Sequence, residues 1–392
     1  MNRKFTKLLN TIFVLGLLIC LCACTLRTFF MPKEINVYEN RYANKVQPFT
    51  VKTFASGAFQ EGVEKALSDQ IPNALTLQKF YNDMHSEYTV SMMRKLLSNY
   101  DDRYFNILGG LVFGGDQLTY YTRPLEDEKI YLEAKARNYN ALFKKYPDIE
   151  FYSYYIEKDT DIYFDTGVKT GVSQYIMNLL DLPPRNKGIF SIDDYQTFRS
   201  FFYRTDHHWN YKGSYYAYQD VLKLLGCSDD PIEPERTVLV HDSFSGSKAS
   251  GMNSDLFREP FYVYQFSFPH LTYRINNKPE DDYGYQQWYI ENSSEEISYG
   301  SFYGWDYGEV IIESDHDDRE NILVLGDSYD NAILKLLATH FHKIYSVDLR
   351  NYEHFLGHPF HFDEYVKQHK IDKVLLIGNI DFYDMSEFEV KF

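Results

Sequence analysis

Apolar positions fall into two rhythms along this chain, and the rhythms predict its elements. Leu75–Asn99 and Glu126–Tyr146 carry apolar residues at helical spacing, the second over a stretch with no Gly or Pro. Between them, Ile107–Tyr121 holds short apolar runs split by Gly109, Gly110, Gly114 and Gly115, which predicts hairpin strands. Asp148–Ile156 reads as a strand and Thr170–Leu180 as a helix. The apolar, aromatic stretch Tyr195–Tyr203 leads into Thr205-Asp206-His207-His208-Trp209-Asn210, and a helix over Tyr215–Leu225 follows. From Cys227 to about Glu313 aromatics alternate with polar residues and Gly, Ser, Asn and Pro are frequent, which predicts β-rich, loop-rich structure. The C-terminal part is the clearest. Strands over Asn321–Leu325, Lys343–Leu349 and Lys373–Ile377 alternate with helices over Asp330–Phe341 and Asp363–Lys370. Strands alternating with helices imply βαβ units, right-handed crossovers and a parallel sheet.

Composition narrows the class. Hydrophobic residues make up 44% and charged residues 24% of 392, a globular balance. The formal net charge is -16, and no Lys/Arg cluster is long enough to offset that field, which argues against a nucleic-acid partner. The 36 tyrosines and 30 phenylalanines fit either an aromatic core or a surface that stacks on sugar rings. Cys227 is the only cysteine outside the N-terminal run, so the folded part forms no internal disulfide and no cysteine-type metal site.

Arg3, Lys4 and Lys7 precede an uncharged apolar run from Ile12 to Leu26, the pattern of an export signal. Two outcomes stand open: a retained N-terminal membrane anchor, or a lipoprotein signal cut at Leu21-Cys22-Ala23-Cys24 with Cys24 lipidated. Either places the rest of the chain on the extracytoplasmic face of the membrane, as would release by secretion. Residues 30–75 read as a juxtamembrane stalk with a short helix near Gly57–Leu67.

Two segments carry chemistry. Gly326-Asp327-Ser328-Tyr329 follows the apolar strand and precedes a helix. In an open α/β sheet, ligands sit beyond the carboxyl ends of the strands, and a helix N-terminus offers N–H groups to a developing oxyanion. Ser328 is thereby a candidate nucleophile, with helix capping as the alternative. In Asp206-His207-His208-Trp209, Asp206 and His208 are two apart, and in extended backbone the carboxylate would steady the imidazole. A metal site on His207 and His208 is disfavoured, because adjacent side chains of a strand point to opposite faces. His358 and His361 read as surface loop.

Asp-His-His-Trp followed by Gly-Asp-Ser-Tyr resembles the DHHW protein family of Gram-positive bacteria, related to the alginate O-acetyltransferases of the AlgX/AlgJ type. Near the start, Glu39-Asn40-Arg41 and Ser68-Asp69-Gln70-Ile71-Pro72 resemble that family's Glu-Asn-Arg and Asp-Gln-Phe-Pro patterns, with Ile71 in place of the aromatic. The resemblance implies an SGNH-hydrolase-like, three-layer α/β fold with a parallel sheet. It implies Ser328 as nucleophile, His208 as general base and Asp206 as its orienter, with His207 outside the triad. Gly378 and Asn379, at the end of the last strand, match the SGNH oxyanion pair by placement, with Arg350 on the same rim as a substrate ligand or loop anchor.

The expected division is a signal or anchor over residues 1–30, a stalk and helix over 31–75, a first part of the SGNH-like domain over 76–226, a β-rich, aromatic-rich insertion over 227–318 and a second part over 319–392. The implied function is an O-acetyltransferase or acetylesterase acting on a cell-surface or secreted polysaccharide, without cofactor or metal and with a membrane-bound acyltransferase as acetyl supplier. The alternative is an inactive glycan-binding or assembly protein of the cell envelope.

Overall fold

The computed structural model describes residues 3–30, 35–36, 41–46, 48–70, 74–96, 102–108, 110–252, 256–292 and 296–392. Glu39, Asn40, Ile71 and Pro72 of the two N-terminal patterns lie outside the described residues, as does the side chain of Cys24.

Eight strands build the main sheet: β1 (Glu150–Ile156), β2 (Lys187–Phe190), β3 (Leu271–Ile275), β4 (Lys278–Glu280), β5 (Glu309–Ser314), β6 (Asn321–Leu325), β7 (Lys343–Val347) and β8 (Lys373–Gly378). Their order across the sheet is β4-β3-β5-β7-β6-β8-β1-β2. From β7 to β2 every pairing is parallel, and β5, β3 and β4 extend the sheet antiparallel. The apolar run of β6 is explained by burial on both faces. Ile322 and Val324 enter one core with Ala217, Tyr218 and Ile333, while Leu323 and Leu325 enter the other with Leu132, Tyr139 and Phe362. Helices therefore cover both faces of the sheet, which makes three layers. The chain leaves β6 for β7 on one side and returns to β8 on the other, so the loops after β6 and β8 flank the crevice that such a reversal opens.

Local chemistry fixes the flanking helices. Leu125–Lys145 has Glu126, Asp127 and Glu128 in its first turn and Lys144 and Lys145 in its last, complementing the helix dipole. Tyr211–Leu224 is capped by Asn210, whose side chain accepts from the N–H groups of Lys212 and Gly213. Within 227–318 the strands divide. Arg236–Phe244 and Glu259–Gln265 pair with each other as an antiparallel ribbon, whereas β3, β4 and β5 join the main sheet.

Residues 1–89 with 250–256 form one compact unit, and residues 90–249 with 257–392 form the other, which holds the sheet. The first unit is mainly helical, including Arg3–Phe30, Val51–Ala55 and Ala58–Gln70. Among the described residues no helix is long and apolar enough to cross a membrane.

Candidate active site

The segment Phe201–Asn210 closes on itself. The Asn210 N–H donates to the Phe201 carbonyl at 2.8 Å, the Tyr203 N–H donates to the His208 carbonyl at 3.2 Å, and Phe202 bridges to Trp209. A loop pinned at both ends cannot run extended, so Asp206, His207 and His208 sit in a tight bend. This corrects the expectation that the two histidines point apart: their rings lie 3.8 Å from each other between centroids. Ligand-type atoms of Asp206, His207 and His208 all fall within 4.8 Å of one another. Each residue is engaged, however. His207 Nδ1 is 2.5 Å from Ser247 Oγ, and Asp206 Oδ1 is 2.7 Å from His208 Nδ1. An ion ligated by His208 would displace that ring's bond to Asp206 or its bond to Ser328.

Ser328, His208 and Asp206 come together from two loops. His208 Nε2 lies 2.7 Å from Ser328 Oγ, and His208 Nδ1 lies 2.7 Å from Asp206 Oδ1. That oxygen also accepts the His208 backbone N–H at 2.9 Å, and Asp206 Oδ2 accepts the Ser247 N–H at 2.7 Å. The pattern assigns the His208 proton to Nδ1 and leaves Nε2 as an acceptor facing the hydroxyl. Burial works against the charge on Asp206, but the attraction of the His208 ring when it is protonated and its hydrogen bond, with His207 and the Ser247 N–H, outweigh it and hold the carboxyl well below its usual range. Burial, with repulsion from His208 whenever that ring is protonated, pushes His207 well down and keeps it neutral.

The seat of Asp206 comes from a segment that sequence reasoning passed over. Gly246 lies so close that a Cβ there would sit 2.4 Å from the Asp206 Cβ and 2.6 Å from its backbone N. This approach lets the Ser247 N–H reach the carboxylate. The Gly246 N–H donates to Thr205 Oγ1 at 3.0 Å, and that hydroxyl donates to Glu259 at 2.8 Å.

The loop after β6 is held from behind. A Cβ on Gly326 would lie 2.4 Å from Asp330 Oδ2, so only glycine lets the strand end beside that buried carboxyl. Asp327 accepts the Tyr329 N–H at 3.1 Å and the Asn379 side-chain amide at 3.3 Å. Burial pushes Asp327 up to about 6 against the pull of Arg350, and pushes Asp330 well above the usual carboxyl range. Asn379 also accepts the Asp381 N–H at 2.9 Å, so its side chain binds the loops after β6 and β8 to each other. Gly378 ends β8 against Phe382. Arg350 is taken up by Asp348 at 2.6 Å and Asp306 at 3.4 Å. His358 and His361 are exposed.

Several neighbours of the triad had no local signal in the sequence. Tyr299 stacks on the His208 ring at 3.7 Å and 2°. Tyr120 lies 6.4 Å from the His207 ring, with the ammonium groups of Lys158 and Lys248 at 5.5 and 4.8 Å from its own ring. Lys158 pairs with Asp381 at 3.0 Å and Lys248 with Asp159 at 2.5 Å. Lys158 follows β1 and Asp381 follows β8, so both mark the carboxyl-end rim of the parallel strands. The triad can do base-assisted acyl chemistry: a serine hydroxyl, an imidazole acceptor and a buried carboxylate lie in one hydrogen-bonded line.

Residues 173–347 match the DHHW protein family. No curated protein matches the sequence. A solved structure of a DHHW family protein from Eubacterium siraeum DSM 15702 aligns with TM-score 0.55 and 18% identity, covering 73% of this chain and 95% of that one. Bacillus cereus PatB1, in a structure with a sulfonyl adduct, aligns with TM-score 0.54 and 20% identity over 74% of this chain and 99% of that one. The O-acetyltransferase domain of Pseudomonas putida AlgJ aligns more weakly, with TM-score 0.35 and 11% identity over 68% and 87%. At these identities the alignments speak to the fold, and the first two share it over most of their length. Residues 173–347 thus carry the DHHW family pattern with Asp206–Trp209 and Ser328 inside the matched span, and the kinship read from those two motifs stands on that match.

Proposed function

We propose that this chain is an extracytoplasmic serine acyl-transfer protein, an O-acetyltransferase or acetylesterase whose substrate is a cell-surface or secreted polysaccharide. The observation that carries the reading is the unbroken line from Ser328 Oγ through His208 to Asp206, with both contacts at 2.7 Å. In the reaction, Ser328 Oγ attacks the carbonyl carbon of an acetyl ester as its proton passes to His208 Nε2. Collapse breaks the bond to the leaving alkoxide, which takes the proton from the imidazolium. A sugar hydroxyl or water then gives its proton to Nε2 and attacks the acyl-serine carbonyl; the acyl–Oγ bond breaks, the acetyl group leaves on the acceptor oxygen, and Ser328 Oγ takes the proton back from the imidazolium.

Three further features support the substrate class and location. Tyr120 and Tyr121 expose 42% and 61% of their surface, and Tyr120 lies beside His207, where an aromatic face suits a sugar ring. Asp381, its side chain 43% exposed and paired with the buried Lys158, adds a carboxylate that can accept from hydroxyl groups. The basic start and apolar run of the first thirty residues support export. The sulfonyl adduct of PatB1 suggests the probe. Purified protein should hydrolyse a chromogenic acetyl ester and take up one sulfonyl group from a sulfonyl fluoride, on Ser328. Ser328→Ala should lose both. Unchanged ester hydrolysis in Ser328→Ala would overturn the reading.

A further inference from the structure

The His208 ring is anchored through its Cβ–Cγ bond and by hydrogen bonds at Nδ1 and Nε2 to Asp206 and Ser328. Concerted rotation about its two side-chain torsions can still swing the ring off that line. A flat contact on the ring face limits the swing and keeps Nε2 in line with the serine hydroxyl. Tyr299 lies flat on the imidazole, 3.7 Å between centroids and 2° from parallel. Both rings are buried, His208 and Tyr299 each at 1% exposure.

We propose that Tyr299 is the positioning residue of His208, and that Trp209 holds Tyr299 in place. The proposal rests on the acyl-transfer reading of the triad. The Trp209 indole N–H donates to the Tyr299 hydroxyl at 3.2 Å. Trp209 is fully buried, and its ring meets Tyr329, the residue after Ser328, edge-on at 5.4 Å and 77°. The Tyr329 hydroxyl in turn donates to the His207 carbonyl. The tryptophan next to the base therefore reaches two tyrosines that lie against it, one on its face and one following the nucleophile. Tyr329 itself lies 5.0 Å from the His208 ring.

The stack has an electrostatic consequence as well as a geometric one. When Ser328 loses its proton to Nε2, the imidazole becomes a cation between the Asp206 carboxylate at its edge and the π face of Tyr299. A desolvated cation over an aromatic face is stabilised, and that stabilisation exists only while the proton is on His208. Tyr299 stays a neutral phenol, because burial raises its pKa well above the ordinary value. Its helix, Tyr299–Tyr303, is fixed at the start by a reciprocal cap between Ser298 and Ser301, so the ring comes from an anchored turn.

The test compares Tyr299→Phe, Tyr299→Leu and Tyr299→Met with the parent and with Ser328→Ala. Tyr299→Phe keeps the flat face and loses the Trp209 tether, and kcat for the chromogenic acetyl ester should fall by about threefold to tenfold. Tyr299→Leu and Tyr299→Met remove the face, and kcat should fall by about 100-fold with KM within about twofold. The rate of sulfonyl labelling at Ser328 should fall in parallel, since it reads nucleophile activation without an acceptor. If Tyr299→Leu does not fold, Tyr299→Met and Tyr299→Phe carry the comparison. Equal kcat in the parent and a folded flat-face-deleted variant overturns the proposal, and so does a Phe variant as slow as Leu or Met. If Ser328→Ala retains activity, the triad reading itself falls. If Ser328→Ala is dead while Tyr299→Leu or Tyr299→Met matches the parent, only the positioning role falls.

Discussion

Asp206→Asn tests the triad most sharply, because the carboxylate is asked to accept three hydrogen bonds and an amide has one oxygen. In the structure Oδ1 accepts the backbone N–H and the ring Nδ1–H of His208, and Oδ2 accepts the Ser247 N–H. With the asparagine oxygen at the Oδ1 position, its NH2 group faces the Ser247 N–H, donor against donor. With the oxygen at the Oδ2 position, the NH2 group faces two donors of His208. The imidazole then escapes the conflict by moving its proton to Nε2, which removes the acceptor that Ser328 needs. Leaving one buried donor without a partner costs about 1–3 kcal/mol. The wrong tautomer is far more expensive for the reaction, on the order of 10^4 in kcat where the same change has been made in a serine-protease triad. The variant should therefore fold with a Tm lower by a few degrees, and lose about three to four orders of magnitude in ester hydrolysis with little change in KM. A carboxyl held below its unfolded pKa contributes stability that is present above about pH 4 and lost as pH falls. The variant lacks that contribution, so its stability should depend less on pH at the acid end. Steady-state kinetics and denaturant melts between acid and neutral pH supply both readings. A folded Asp206→Asn protein within tenfold of the parent kcat would refute the assignment of Asp206 as the orienter.

Gly246→Ala should act at the same place by steric means. Its Cβ would meet Asp206 at 2.4 Å, so the loop must shift, with about 1–3 kcal/mol lost in a denaturant melt and about 100-fold in kcat. Gly251→Ala, which meets nothing within 4 Å, should leave both unchanged or add slight stability, and equal behaviour of the two variants would refute the argument. Away from the site, burial lowers His340 to about 4, with its Nε2 2.7 Å from the Tyr218 hydroxyl and its Nδ1 without a hydrogen-bond partner among the described residues. A histidine kept neutral in the fold binds fewer protons than its unfolded form between about pH 6.5 and 4, so stability is full above that window and falls as pH drops through it. After allowance for solvent screening the loss should be about 1–2 kcal/mol, His340→Gln should flatten it, and melts at pH 7.5 and 4.5 with the same difference in both proteins would exclude His340 as the cause.

What the sequence disclosed and what it hid divide along sequence separation. β6 and β8 were legible because strands buried on both faces read as continuous apolar runs, and Ile322 to Leu325 feed both cores in alternation. Ser328 was legible from the strand, glycine and helix around it. The histidines were misread because alternation holds for extended backbone, and the Asn210-to-Phe201 hydrogen bond makes this stretch a closed loop. The rest of the site is assembled over distances no local pattern records: Ser247 reaches Asp206 across 41 residues, and Trp209 reaches Tyr299 across 90.

The abundance of tyrosine, which composition left between core and sugar-binding surface, now has a physical account around the triad. An imidazole buried among apolar side chains needs walls that exclude water and still satisfy the polar atoms trapped with it. Phenylalanine supplies only the first. Tyrosine supplies both, and the hydroxyls are used. Tyr299 takes the Trp209 N–H and Tyr329 donates to the His207 carbonyl. The exposed rings of Tyr120 and Tyr121 begin where this wall ends. One residue type thus serves twice: inside, its hydroxyl closes hydrogen bonds beside His208, and at Tyr120 and Tyr121 part of the ring is exposed.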